Sequence, residues 1–154
     1  MRSVLIDTNL LVLLVVGYYK KTLIGQHKRT KEFVPEDFDL LRRFLSGYDI
    51  LWVTSYCLAE ASNLLKQTHP AQAKGLLNCM SAIVSRTKES HMSKEVLFGD
   101  ERAARLGVAD TGIFLKSKRV DCVLTRDFNL YREVSTSGRR VVNFNHLRAE
   151  TLLA

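Results

Sequence analysis

A carboxylate stands inside the most apolar stretch of this chain. From Val4 to Gly17 the sequence is hydrophobic except for Asp7, Thr8 and Asn9. Such a stretch belongs in a core, where a lone carboxylate is costly unless something compensates its charge. The break also divides the run in two. Val4 to Ile6 reads as a buried strand. Leu10 to Val16 reads as a helix stopped near Gly17, with Asp7, Thr8 or Asn9 as its cap. Arg2 followed by this run imitates a signal peptide, but the polar break and the lack of a small-residue cleavage site argue against one. The run is also too short to span a membrane. The expected partner list therefore contains no membrane.

The rest of the chain alternates strand and helix signals. Tyr18 to Val34 is a basic, weakly patterned connection. Glu36 to Leu45 is amphipathic, with Phe38, Leu41 and Leu45 on one stripe. Ile50 to Val53 reads as a strand, and Thr54 or Ser55 opens a helix to about Leu65. Pro70 starts a helix to about Val84. Arg86 to Ser93 is polar and ambiguous. Glu95 to Leu106 reads as one helix, and Ala109 to Lys116 as another after Gly107. Val120 to Leu124 is a strand, Phe128 to Val134 a helix, and Val141 to Phe144 a last strand after the turn at Ser137 and Gly138. This alternation predicts an α/β domain with a mostly parallel sheet spanning residues 1–154.

Three more acids sit where a charge is unexpected. Asp127 closes the strand-like run Val120 to Thr125, as Asp7 closes Val4 to Ile6. Glu60 and Asp110 lie among apolar neighbours inside helical patterns. Ligands of open parallel sheets bind beyond the carboxyl ends of the strands. Two acids fall at such ends, and the other two are predicted to border inward helix faces. Each has a bland reading: Asp7 and Asp110 as helix caps, Asp127 as a turn residue. Glu60 lacks one, because a mid-helix position offers no capping role. Four carboxylates converging at the top of a sheet repel one another, and a cation resolves the repulsion. Oxygen ligands suit Mg²⁺ or Mn²⁺ rather than zinc.

Charge points to a substrate class. The chain of 154 residues has a formal net charge of +7, so an acidic site lies in a basic protein. That combination suits a polyanionic substrate met by a metal ion, although basicity alone also serves solubility. Cys57, Cys79 and Cys122 are odd in number and widely spaced. They make no disulfide framework and no metal motif, which predicts a reducing, cytoplasmic setting.

Val4-Leu5-Ile6-Asp7-Thr8-Asn9 resembles the opening motif of PIN-domain ribonucleases. Ala59-Glu60-Ala61, Ala109-Asp110-Thr111 and Thr125-Arg126-Asp127 resemble the second, third and fourth acidic motifs of that family. Order and rough spacing agree over nearly the whole chain. The short single-domain form is similar to the toxin of type II toxin–antitoxin modules. The resemblance implies a PIN-like α/β/α sandwich that hydrolyses RNA phosphodiesters with Mg²⁺ or Mn²⁺. Asp7, Asp110 and Asp127 are implied as metal ligands. Glu60 is implied as a ligand, directly or through water, or as the group that orients the attacking water. Thr8, Asn9 and Thr125 are implied to hydrogen-bond and orient the carboxylates. An antitoxin protein is the implied partner, and a homodimer through helices such as Glu36 to Leu45 the implied assembly. The Tyr18 to Val34 connection departs from the family in being longer and more basic.

Basic groups supply candidate RNA contacts: Lys20, Lys21, Lys28, Arg29 and Lys31 in the connection beside Tyr18 and Tyr19, and Lys116, Lys118, Arg119 and Arg126 near the later acids. Basic groups next to aromatics hold phosphates and stack bases, while the plain alternative is a solvated surface. His27, His69, His91 and His146 have no ligand spacing. No Walker, GxGxxG or GxSxG pattern occurs. Asn9 stands where an aspartyl-phosphate phosphatase would carry its second acid. The remaining rivals are an inactive PIN-like module that binds RNA or protein, and a housekeeping RNA-processing nuclease.

Overall fold

A computed structural model describes residues 1–153. Strand β1 (Ser3–Ile6) is buried along its length and turns at Asp7 into helix α1 (Thr8–Tyr19). This helix is apolar on all sides because it is buried on nearly all sides: every residue from Leu10 to Gly17 is in the core. Then follow α2 (Pro35–Leu45), β2 (Ile50–Thr54), α3 (Ser55–Leu65), α4 (Pro70–Val84), β3 (Lys88–Ser90), α5 (Lys94–Phe98), α6 (Ala103–Leu106), α7 (Val108–Lys116), β4 (Cys122–Thr125), α8 (Phe128–Thr136), β5 (Val141–Asn143) and α9 (Phe144–Leu153).

The five strands form one sheet in the order β3-β2-β1-β4-β5, and every pairing is parallel. Alternate residues of the central strand feed two cores. Val4 and Ile6 join Val53, Cys122 and Leu124 under the helices on one face, with Phe144 of α9. Leu5 joins Val123, Ile113, Phe114, Leu130 and Val134 on the other face, beneath α7 and α8. The result is the expected α/β/α sandwich. Its strand order reverses at β1: the chain moves outward to β2 and β3, then returns to the other side of β1 with β4. Such a switch point opens a crevice at the carboxyl ends of the two flanking strands.

Several elements differ from the sequence reading. Gly17 does not end α1, which continues to Tyr19. It is instead where α1 and α2 approach closely, because a Cβ there would lie 2.1 Å from the Phe38 ring. The Glu95 to Leu106 stretch is two short helices, α5 and α6, separated at Gly99 to Arg102. There Asp100 accepts the Arg102 backbone N–H at 2.9 Å, and Arg102 and Arg105 reach Glu133 at 2.7 and 2.9 Å. The ambiguous segment supplies the edge strand β3. The last strand ends at Asn143, and Phe144 opens a helix rather than closing the strand.

The Tyr18 to Val34 connection is not a loose loop. Leu23, Ile24, His27, Thr30 and Phe33 are buried. The His27 ring bonds the Leu65 carbonyl at 3.2 Å, and the Thr30 hydroxyl donates to the Ile24 carbonyl at 2.7 Å. The guanidinium groups of Arg126 and Arg148 both pack over the Phe33 ring, 4.8 and 5.1 Å from its centre. Arg126 pairs with Glu32 at 2.5 Å and Arg148 with Asp37 at 3.0 Å. The connection is thereby fastened to the β4–α8 turn and to α9.

Candidate functional site

Asp7 ends β1 in the crevice and is only 4% exposed. It does cap α1: its Oδ1 accepts the Leu10 N–H at 3.0 Å. Its Oδ2 accepts the Thr125 hydroxyl at 2.5 Å and the Arg126 backbone N–H at 3.0 Å. Burial nevertheless pushes its pKa up, against the pull of those three donors, and the charge of Asp127 pushes the same way. The cap and the candidate ligand are thus one residue, and its charge is under-compensated.

Asp127 follows β4, the neighbour of β1, and caps α8 by accepting the Leu130 N–H at 2.8 Å. Its own N–H donates to Thr125 Oγ1 at 2.9 Å. Asp110 sits in the first turn of α7 behind Gly107, whose φ of +86° is the conformation that glycine tolerates best. A helix N-terminus favours a carboxylate. Even so, Asp110 is pushed up to about 7, by burial first and then by Asp127, Asp7 and Glu60.

The four acids line one pocket of about 260 Å³, together with Thr8, Asn9, Leu106, Gly107, Val108 and Ala109. No lysine, arginine or histidine is among these lining residues. Glu60 is exposed and stands at the pocket rim, on the border of the inward helix face. Beneath lies Cys57, whose thiol is pushed up to about 11 by burial, with Asp7 and Asp110 adding to the rise. That makes it a neutral, inert core thiol. A larger apolar groove of about 640 Å³, lined by Leu14, Tyr18, Leu45 and Ile83 among others, holds none of the acids.

The donor set tests whether a metal fits. Every ionisable liner is a carboxylate, and oxygen donors with surplus negative charge suit a hard divalent cation. Among the described residues no three Asp, Glu, His or Cys side chains form a ready-made ion cage. The carboxylates line the walls, and closing them on an ion takes side-chain adjustment.

Of the three groups expected to orient the acids, Thr125 does so. Thr8 is buried and lines the pocket, but its hydroxyl engages Cys57. Asn9 lines the pocket and is exposed. The backbone N–H groups of Leu10 and Arg126 are the orienting groups that side-chain patterns could not have revealed.

The basic candidates lie outside the pocket lining. Lys21 is paired with Asp39 at 2.9 Å, and Arg29 Nε donates to Gln67 Oε1. Lys20, Lys28 and Lys31 are exposed. Arg126 reaches the site through its backbone, while its guanidinium is held by Glu32 and Phe33. Lys116 lies over Trp52, 3.7 Å from the ring centre. No helix among the described residues is long and apolar enough to cross a membrane. No family model matches the chain, and no curated protein matches it significantly.

Proposed function

We propose that this chain is a metal-dependent endoribonuclease of the PIN type, acting as the toxin of a toxin–antitoxin pair. The observation that carries the reading is the lining of one pocket by Asp7, Glu60, Asp110 and Asp127, at the switch point of a parallel sheet. The resemblance of the four motifs supplies the reaction and the partner.

Asp7, Asp110 and Asp127 would hold Mg²⁺ or Mn²⁺, with Glu60 completing the set directly or through water. When bound, the cation supplies the positive charge that activates water and neutralises phosphate oxygens. The chain's own groups prepare the place. Thr125, Leu10 N–H and Arg126 N–H fix both oxygens of Asp7. Leu130 N–H fixes Asp127. Glu60, at the rim, accepts a hydrogen bond from the attacking water. The water oxygen adds to phosphorus as the P–O ester bond breaks. The released proton passes to a carboxylate, and the leaving oxygen is protonated from solvent.

A free nuclease in a cell needs restraint. An antitoxin segment that inserts an arginine among the four acids would take the cation's place, since guanidinium pairs bidentately with carboxylates. Dimerisation through α2 belongs to the same proposal.

The test is cleavage of single-stranded RNA by the purified chain with Mg²⁺, with EDTA, and in Asp110→Asn. Cleavage lost in both of the latter, together with growth arrest relieved by a neighbouring gene, supports the reading. Undiminished cleavage in EDTA or in Asp110→Asn removes the metal site. Harmless expression of a chain that still cleaves RNA points to a housekeeping nuclease.

A further inference from the structure

We propose that Trp52, Lys88, Lys116 and Arg119 form a second anion site, which holds the phosphate backbone of a single-stranded RNA lying across the acid pocket. The site rests on the nuclease reading for its ligand, but its geometry stands apart from the acids.

Trp52 pairs in register with Leu5 of β1 and with Lys88 of the edge strand β3. Its ring packs against the core under α7. Lys116, the last residue of α7, places Nζ 3.7 Å from the ring centre, and Lys88 places Nζ 5.8 Å from it. The indole face thus gathers two ammonium groups. Lys116 is shifted down by burial first, then by the nearby charges of Arg119 and Lys88. Two ammonium groups therefore share one indole face, and Arg119 lies near enough to Lys116 for its charge to act on it.

Several arginines and lysines elsewhere are matched with acids: Arg102 and Arg105 with Glu133, Arg126 with Glu32, Arg148 with Asp37, Lys21 with Asp39. Among the described residues Lys88, Lys116 and Arg119 have no salt-bridge partner and no side-chain hydrogen bond. The nearest acid in sequence, Glu89, is engaged by the Ser55 hydroxyl instead. Convergent like charges without counter-charge are unfavourable, so an anion is the missing partner.

Position favours a strand of nucleic acid over a small anion. Asp110 lies in the first turn of α7 and Lys116 at its end, about 9 Å apart along the axis. Trp52 lies level with Leu5, about 7 Å along the sheet from Asp7. An all-acid pocket repels a polyanion, and a cationic platform beside it supplies the attraction from outside. Phosphate contacts position a strand without reading its bases, which suits lysines on an aromatic face.

Trp52 is the single tryptophan of the chain, so its emission reports this site directly. The full chain is titrated in EDTA with a short single-stranded oligoribonucleotide and, separately, with inorganic phosphate. The oligonucleotide should change Trp52 emission saturably. Lys88→Gln with Lys116→Gln should weaken its binding about tenfold and lower the log–log salt slope by about 1.4, as for two lost phosphate contacts. Lys116→Arg should keep the parent slope. Emission unmoved by the oligonucleotide, or a double variant with the parent's affinity and slope, would overturn the site. Inorganic phosphate binding as tightly as the oligonucleotide would overturn its assignment to RNA. A chain that cleaves RNA in Mg²⁺ while indifferent to these lysines loses the site and keeps the nuclease. A chain that binds through them and never cleaves keeps the site and loses the nuclease.

Discussion

The Thr125 hydroxyl lies 2.5 Å from Asp7 Oδ2 and accepts the Asp127 N–H at 2.9 Å. One side chain at the end of β4 therefore orients two of the four acids, one on its own turn and one on the neighbouring strand. Its γ-oxygen must donate to the first and accept from the second, which fixes the hydroxyl rotor and the Asp7 rotamer together.

Thr125→Val keeps the shape and removes both bonds. It should lower unfolding stability by about 1–3 kcal/mol, because a buried carboxylate loses a donor. It should lower kcat with little change in KM. Thr125→Ser, which keeps the hydroxyl, should recover most of both. Urea midpoints and steady-state cleavage check this, and a serine variant no better than valine would remove the orienting role.

The acids should not respond alike to amide replacement. Both oxygens of Asp7 accept backbone N–H groups, from Leu10 and Arg126. An asparagine there turns its NH₂ towards one of them in either orientation. Asp7→Asn should cost about 1–3 kcal/mol in stability, even though it removes a repelling charge. Asp110 makes no hydrogen bond that outweighs its burial and its three acidic neighbours. Asp110→Asn should raise the melting temperature of the metal-free protein while abolishing cleavage. Equal shifts in the two variants would contradict the difference in their surroundings.

The Asp110 carboxyl has an ordinary pKa of 3.8, and in the folded chain it is pushed up to about 7. Between those values the folded chain keeps a proton that the unfolded chain has released. The metal-free protein should therefore lose stability as pH rises from about 4 to 7, by an amount on the order of 1–2 kcal/mol after allowance for the group's partial exposure. The loss is complete above the folded pKa and absent below the unfolded one. Mg²⁺ should restore stability most at high pH, since only the ionised carboxylate binds it. Thermal melts across this range, with and without Mg²⁺, test the sign. Asp110→Asn should flatten the profile.

The sequence displayed the strand-end acids because a buried strand running into Asp is visible as a break in hydrophobicity. Asp7 and Asp127 were legible for that reason, and so was the parallel sheet. The apolar neighbours Cys57, Ala61 and Leu64 place Glu60 at the border of an inward face, but whether it is buried there or stands at the rim depends on the packing around α3. β3 was not legible: Lys88, Glu89 and Ser90 carry no strand propensity, and their pairing with Trp52 to Thr54 decides the conformation. The break between α5 and α6 follows from Asp100 and Arg102 bonding locally and to Glu133, far along the chain. The Trp52 platform joins three segments that no local pattern links.

The connection before α2 should prove two-sided in function. Its inner residue Phe33 is held by Arg126 and Arg148 and meets Phe144 edge-on, with ring centres 6.3 Å apart. Arg126 N–H in turn holds Asp7. Phe33→Ala should cost about 3–5 kcal/mol and loosen the β4–α8 turn, lowering kcat as well as stability. The outer residues Lys28, Arg29 and Lys31 are exposed. Changing all three to Ala should leave stability within about 0.5 kcal/mol per site. If they meet the substrate, the salt slope of RNA binding falls by about 2, from three lost phosphate contacts to a single strand, and KM rises while kcat holds. An unchanged slope in the triple variant, beside a reduced slope in Lys88→Gln with Lys116→Gln, would place the RNA path along β3 and α7 and leave the connection as a structural brace.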